Sequence, residues 1–228
     1  MAEPNVFTRR QVLIIGGIFT AGAIFEAVRR TNAEHHKAAS EAARTPGCIL
    51  APEQTEGPFY IDDHLVRRNI SEGKPGVPLE MRLAVVDAKT CAPIPGAFVE
   101  LWHADAGGNY SGFGPGAGDG TFLRGGVRTT DAGLASIETI YPGWYQGRTV
   151  HIHVKVHVHG NVVHTGQLYF DDALTDAVFK RKPYSRRGPR DTRNPQDAIY
   201  ADGGRQSTLH VSPRGPGYVG RLALGIKA

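Results

Sequence analysis

A chain of 228 residues with 40% hydrophobic and 21% charged positions is long enough to bury one core of ordinary size, plus a leader. The formal charge is +4, and four arginines against two glutamates in residues 1–33 supply half of it, leaving 22 basic and 20 acidic positions. An excess that mild gives no argument for a nucleic-acid partner, and none is expected.

In chain order, the first candidate element is an export signal over residues 1–33. "TRRQVLIIGG" sets Arg9 and Arg10 directly before an apolar run from Val12 to Phe25. Fourteen residues is short for a membrane span and suits a signal core, so no lasting span is expected once the segment is cleaved. The paired arginines resemble a twin-arginine leader, which carries folded proteins across a bacterial membrane; retention as an anchor is the alternative. The body is expected to be exported: periplasmic, extracellular or on the cell surface. Residues 34–47 read as a helical or flexible linker. Residues 48–228 form the body, and its two cysteines, Cys48 and Cys91, are expected to pair, since an exported chain with an even count favours a disulfide.

Short apolar runs then alternate with Gly, Pro, Asn and Asp. Strands are predicted over 79–88, 96–104, 134–140, 149–158, 162–170 and 218–226, and one short helix over 172–180. The fold class this implies is all-β, a sandwich with functional loops. The basic stretch "KRKPYSRRGPRDTRNP" at 180–195 reads first as a solvated loop, with an anion-binding patch as the alternative.

The most informative strand is "HIHVKVHVHG" at 151–160. Side chains alternate across a strand, so His151, His153, Lys155, His157 and His159 share one face, and Ile152, Val154, Val156 and Val158 look like the core side. At about 3.3 Å per residue, His151 and His157 lie roughly 20 Å apart, too far for one ion, whereas either H-x-H pair could converge on one. "HGNVV" at 159–163 looks like a hairpin turn with Gly160 and Asn161 at its tip. A two-residue loop would set Leu168 beside His153, and a three-residue loop would swing Gln167 onto the histidine face. The sequence leaves that register open.

The first pair is set apart by its neighbours. Tyr145 precedes His151 by six residues and Arg148 by three, and Tyr110 lies in the Gly-rich turn of "LWHADAGGNYSGF". Two histidines with two tyrosines form a selective donor set. A phenol of pKa about 10 gives up its proton at neutral pH only to a strongly Lewis-acidic cation, and ferric iron is such a cation.

Four ordered segments, "TEGPFY" (55–60), "LWHADAGGNYSGF" (101–113), "YPGWYQGRTVHIHV" (141–154) and "TGQLYF" (165–170), resemble the intradiol ring-cleavage dioxygenases. The pattern is most like the short secreted members and the catalytic cores of the protocatechuate and catechol enzymes. The resemblance implies one non-haem Fe(III) on Tyr110, Tyr145, His151 and His153, with water or hydroxide in a fifth place. Tyr145 would be the axial ligand that leaves when substrate binds, Arg148 would sit behind the reacting carbon, and Gln167 would support the site from behind the ligands. Gly57, Pro58 and Phe59 would line the substrate cavity, as would Trp144, although Trp144 and Trp102 could equally be core aromatics; Tyr60 and Tyr141 read as structural. The implied substrates are a catechol and O2, and the product a cis,cis-muconate-type diacid. Two rivals stand beside this: an inactive sandwich module that binds cell wall or aromatic polymer, and a copper or zinc hydrolase built on His157, His159 and His164.

Overall fold

The structure, a computed structural model, describes residues 48–114 and 120–227. The expected leader at 1–33 and linker at 34–47 lie outside the described residues. Eight strands form two four-stranded sheets. The strands are β1 (Pro78–Asp87), β2 (Phe98–Trp102), β3 (Arg124–Arg128), β4 (Leu134–Ile140), β5 (His151–Val158), β6 (Asn161–Tyr169), β7 (His210–Arg214) and β8 (Gly217–Ile226). One sheet runs β4-β1-β8-β7 and the other β3-β2-β5-β6. The pairing of β1 with β8 is parallel and every other named pairing is antiparallel.

Leu79, Met81, Leu83 and Val85 of β1 meet Val99 and Leu101 of β2 and Ile152, Val154 and Val156 of β5 in one apolar layer. That layer is the core of an all-β sandwich, as the alternation predicts. Two strands escape the periodicity. β3 reads "RGGVR", and its glycines are there because backbone passes close by: a Cβ on Gly126 would lie 2.2 Å from the Val99 carbonyl oxygen. β7 reads "HVSPR" and tolerates Pro213 because it is a sheet edge. The expected helix is present as α1 (Asp172–Phe179), with Asp171 accepting from the N–H groups of Ala173 and Leu174. A second short helix, α2, spans Ala198–Ala201. No helix among the described residues is long and apolar enough to cross a membrane.

The basic stretch is not a solvated loop throughout. Arg190 is held against α1 by Asp172 and Asp176, and the Arg187 guanidinium covers the Trp144 ring at 4.1 Å. These carboxylates and the indole take up charge that the sequence alone leaves facing water.

The β5–β6 hairpin settles the open register in a way neither loop length anticipates. The turn residues are His159 and Gly160, both at positive φ (52° and 83°), while Asn161 already belongs to β6. Val158 pairs with Asn161 and His157 with Val162, but Val156 pairs with His164, so Val163 is an extra, bulged residue. Beyond the bulge, Gln167 stands opposite His153. A cross-strand row therefore runs Arg124, Trp102, His153, Gln167 over β3-β2-β5-β6. The face carrying that row is not open to solvent: His151, His153, Lys155 and His157 are all buried, so β5 is covered on both sides.

Candidate active site and metal centre

His151 and His153 leave β5 on the same face, and their Nε2 atoms lie 3.1 Å apart. His151 Nδ1 is 2.7 Å from the Thr149 carbonyl oxygen, which can only accept, so Nδ1 carries the proton and the Nε2 lone pair faces the pocket. The Tyr145 hydroxyl is 3.3 Å from that Nε2. Two donors each about 2.1 Å from one ion and at right angles to it are about 3 Å apart, so these spacings suit adjacent ligand positions.

Tyr110 completes the cluster from the loop after β2. Asp105 Oδ1 shapes that loop by accepting from the N–H groups of Gly107 and Asn109 (2.8 and 3.0 Å). Arg124 clamps the next residue, donating from Nε to Ser111 Oγ and from Nη2 to the Ser111 carbonyl, both at 2.8 Å. The Tyr110 ring centroid lies 5.7 Å from that of Tyr145 and 6.2 Å from that of His153. Its hydroxyl is buried without a hydrogen-bond partner. A buried, partnerless phenol is costly unless another group uses the oxygen.

The electrostatics agree with a cation site. Burial, then the nearby Arg148 charge, pushes His151 down to about 3, and burial with the adjacent His151 holds His153 well below the usual imidazole range. Both rings are neutral, so each has one nitrogen lone pair that a cation could use. Burial pushes both phenols up, Tyr110 strongly. Their protons stay on at neutral pH unless a strong Lewis acid displaces them. The residues present therefore fit a hard trivalent cation better than zinc, which prefers nitrogen and sulfur donors.

Arg148 lies beside these donors. It donates from Nε to Asp197 Oδ2 (2.8 Å), from Nη2 to Gln167 Oε1 (2.5 Å), and at 3.4 Å from Nη1 to the Tyr145 hydroxyl. Gln167 Nε2 in turn donates to the Thr55 carbonyl (3.0 Å). Thus the predicted glutamine reaches the arginine and ties it to the segment carrying "GPFY".

In that segment Phe59 stacks on Tyr110 at 4.4 Å and meets Tyr145 and Phe113 edge-on. Gly57 is at φ +74°, and a Cβ there would sit 3.3 Å from His153 Cε1, so both the backbone conformation and the close approach favour glycine. Pro58 is exposed between them. Trp144 parts from this group: it packs against the main core beneath Arg187. Trp102 is the tryptophan at the site, fully buried and parallel to the His153 ring at 4.8 Å.

His157, His159 and His164, the trio of the rival hydrolase, do not come together. His157 pairs with Glu100 (3.2 Å), His164 with Glu53 (2.7 Å), and His159 is exposed in the turn. Among the described residues no three His, Cys, Asp or Glu side chains could hold an ion, which removes the basis of a hydrolase built on these histidines. Cys48 and Cys91 are bridged, with Cα atoms 5.3 Å apart. Sequence reasoning missed Asp197, Phe113 and the Arg124 clamp. Phe113 stood inside a quoted motif, but Asp197 belongs to none.

Comparison with known proteins follows the same lines. Residues 51–185 match the family described as "Dioxygenase". The chain is 32% identical to catechol 1,2-dioxygenase 1 of Acinetobacter lwoffii over 120 residues, which is 48% of this chain and 38% of that protein. It is 31% identical to the chlorocatechol 1,2-dioxygenase of Rhodococcus opacus over 146 residues, 56% of each. The matches thus span about half or less of those relatives' lengths. An intradiol ring-cleavage dioxygenase of Tetranychus urticae superposes with a TM-score of 0.75 at 37% identity, covering 78% of this chain and 94% of that one.

Proposed function

This chain belongs to the intradiol ring-cleavage dioxygenase family, and on that premise we propose that it opens a catechol between its two hydroxylated carbons, placing both atoms of O2 in a cis,cis-muconate-type diacid. Tyr110, Tyr145, His151 and His153 would hold one Fe(III). The observation that carries this reading is the convergence of Tyr145 Oη and His153 Nε2 on His151 Nε2, at 3.3 and 3.1 Å, beside the partnerless Tyr110 hydroxyl. The chemistry that ferric iron supplies when bound is Lewis acidity, which ionises the phenols and draws electron density from a catecholate ring.

The chain's own groups do the rest. Catechol must lose two protons to bind through both oxygens; the Tyr145 phenolate would accept one and hydroxide, becoming water, the other. Tyr145 suits that part better than Tyr110, being less deeply buried and within reach of Arg148 Nη1. Arg148 keeps a fixed positive charge beside the ring, where negative charge develops during ring attack. Phe59 and Phe113 present aromatic faces and edges that pack on the substrate ring and keep water from it.

The proposal includes export. Its support is the Arg9–Arg10 pair before the Val12–Phe25 run, together with the Cys48–Cys91 bridge, a bond rare in reducing compartments. The reaction is tested with 18O2 and a panel of catechols. A ring-opened diacid carrying both labelled atoms supports it; a semialdehyde overturns the intradiol reading, and no oxygen uptake with iron loaded overturns it in favour of a binding module.

A further inference from the structure

Asp197 lies beyond the matched residues 51–185, yet it is buried against the centre of the site. Its carboxylate receives four N–H groups. Oδ1 accepts from Ile199 and Tyr200 (2.8 and 3.1 Å), which caps α2. Oδ2 accepts from Arg148 Nε and the Thr149 N–H, both at 2.8 Å. The first pair is an ordinary capping role. The second is not needed for the helix.

Two groups of the site depend on Oδ2. With Nε tied to Asp197, the Arg148 guanidinium has only its two terminal nitrogens left, one on Gln167 Oε1 and the other towards the Tyr145 hydroxyl. Three contacts on a rigid planar group fix its orientation. Thr149 is held at its N–H by Asp197 and at its hydroxyl by Asn194 (2.6 Å), and its carbonyl accepts from His151 Nδ1. One carboxylate therefore steadies the arginine and, through Thr149, the tautomer and direction of a histidine donor. Burial works against charge on Asp197, but the Thr149 and Arg148 donors outweigh it and hold its carboxyl below the usual range, so it is an anion facing Arg148.

We propose that Asp197 is a positioning residue for the ring-cleavage reaction, acting through Arg148; this rests on the dioxygenase reading above. The test compares wild type, Asp197→Asn, Asp197→Ser, Arg148→Ala and the Asp197→Asn/Arg148→Ala double variant, all loaded with iron. Asn and Ser both retain an acceptor for the helix cap and lose the paired acceptor for Arg148 and Thr149. In Asp197→Asn and Asp197→Ser, kcat is expected to fall about 10- to 100-fold. Iron stoichiometry is expected to be unchanged, and anaerobic catechol affinity to stay within about threefold. Adding Asp197→Asn to Arg148→Ala should cost little more, because the two act as one unit.

Wild-type turnover is measured first. Its absence overturns the dioxygenase reading and this role with it. Turnover in wild type with kcat unchanged in both single Asp197 variants overturns this role alone. So do losses that multiply in the double variant, or a fall in kcat that tracks lost iron or a lowered melting temperature.

Discussion

His153 and Gln167 face one another as Cα partners on β5 and β6, and the bulge at Val163 sets that pairing. The glutamine is thereby placed where its Oε1 accepts from Arg148 Nη2 and its Nε2 donates to the Thr55 carbonyl. Gln167→Ala should leave Arg148 under-anchored on the pocket side while sparing all four proposed ligands. Steady-state kinetics should show kcat reduced about 10- to 100-fold at unchanged iron content. A loss of iron instead would mean that Gln167 supports the metal rather than the arginine.

Gly57 tests how closely the pocket segment approaches the histidines. Alanine at φ +74° costs about 1–2 kcal/mol of backbone strain, and its methyl would press on His153 Cε1 at 3.3 Å. Gly160, at φ +83° with open space around it, is the control for strain alone. Both variants should lose comparable stability in denaturant titrations, and only Gly57→Ala should also weaken iron binding.

The Cys48–Cys91 bridge closes a loop with a sequence separation of 43. Replacing both cysteines with serine should lower unfolding free energy by roughly 2–4 kcal/mol. The bridge lies outside the proposed centre, so turnover per folded molecule should be unchanged. Chemical denaturation with and without reductant on the wild type should reproduce the difference.

His103 sets an acid limit on stability. Burial pushes its pKa down to about 4, although the Ala104 carbonyl pulls the other way, and Thr139 Oγ1 lies 2.7 Å from Nε2. The unfolded chain binds this proton near pH 6.5 and the folded chain only near 4, so stability is lost as pH falls between those values. By pH 5 this one group costs about 2 kcal/mol. His103→Gln should make that limb of the stability–pH curve shallower by this one group's share, with the buried His151 and His153 supplying the remainder, measured by denaturant titration across pH 4 to 7.

Much of the molecule was legible in the residue pattern, and the illegible parts share a cause. The alternation in "HIHVKVHVHG" marked β5, and strand spacing split its histidines into two pairs too far apart to share an ion; only the nearby Tyr110, Tyr145 and Arg148 singled out His151 and His153. Nothing local marks Val163 as an extra residue, since a bulge is fixed by what both strands bury rather than by its own chemistry. β3 and β7 were hidden because close backbone approach and an edge position permit glycine and proline where a central strand would not. The histidine face, which alternation alone cannot tell from a solvent-facing one, is buried under the 53–64 segment, where Lys155 sits over the Tyr60 ring and pairs with Glu56. The two tryptophans looked equivalent, and only the register of β2 against β5 puts Trp102 on His153. Asp197 was invisible because its partners, Arg148 and Thr149, lie far away in sequence.

Absorption spectroscopy follows from the donor set. Two tyrosinates on ferric iron should give the loaded protein a broad visible charge-transfer band, and Tyr145→Phe and Tyr110→Phe should each shift and weaken it. Anaerobic catechol should change the band in wild type. A colourless protein with stoichiometric iron shown to be ferric would exclude phenolate ligation.

Whether one iron sits among Tyr110, Tyr145, His151 and His153 is decided by anomalous diffraction at the iron edge on crystals of the loaded protein. A single anomalous peak is expected about 2 Å from Tyr110 Oη, Tyr145 Oη, His151 Nε2 and His153 Nε2. A peak at His157 and Glu100, or one reached by the histidines while both phenols stand away, would contradict it.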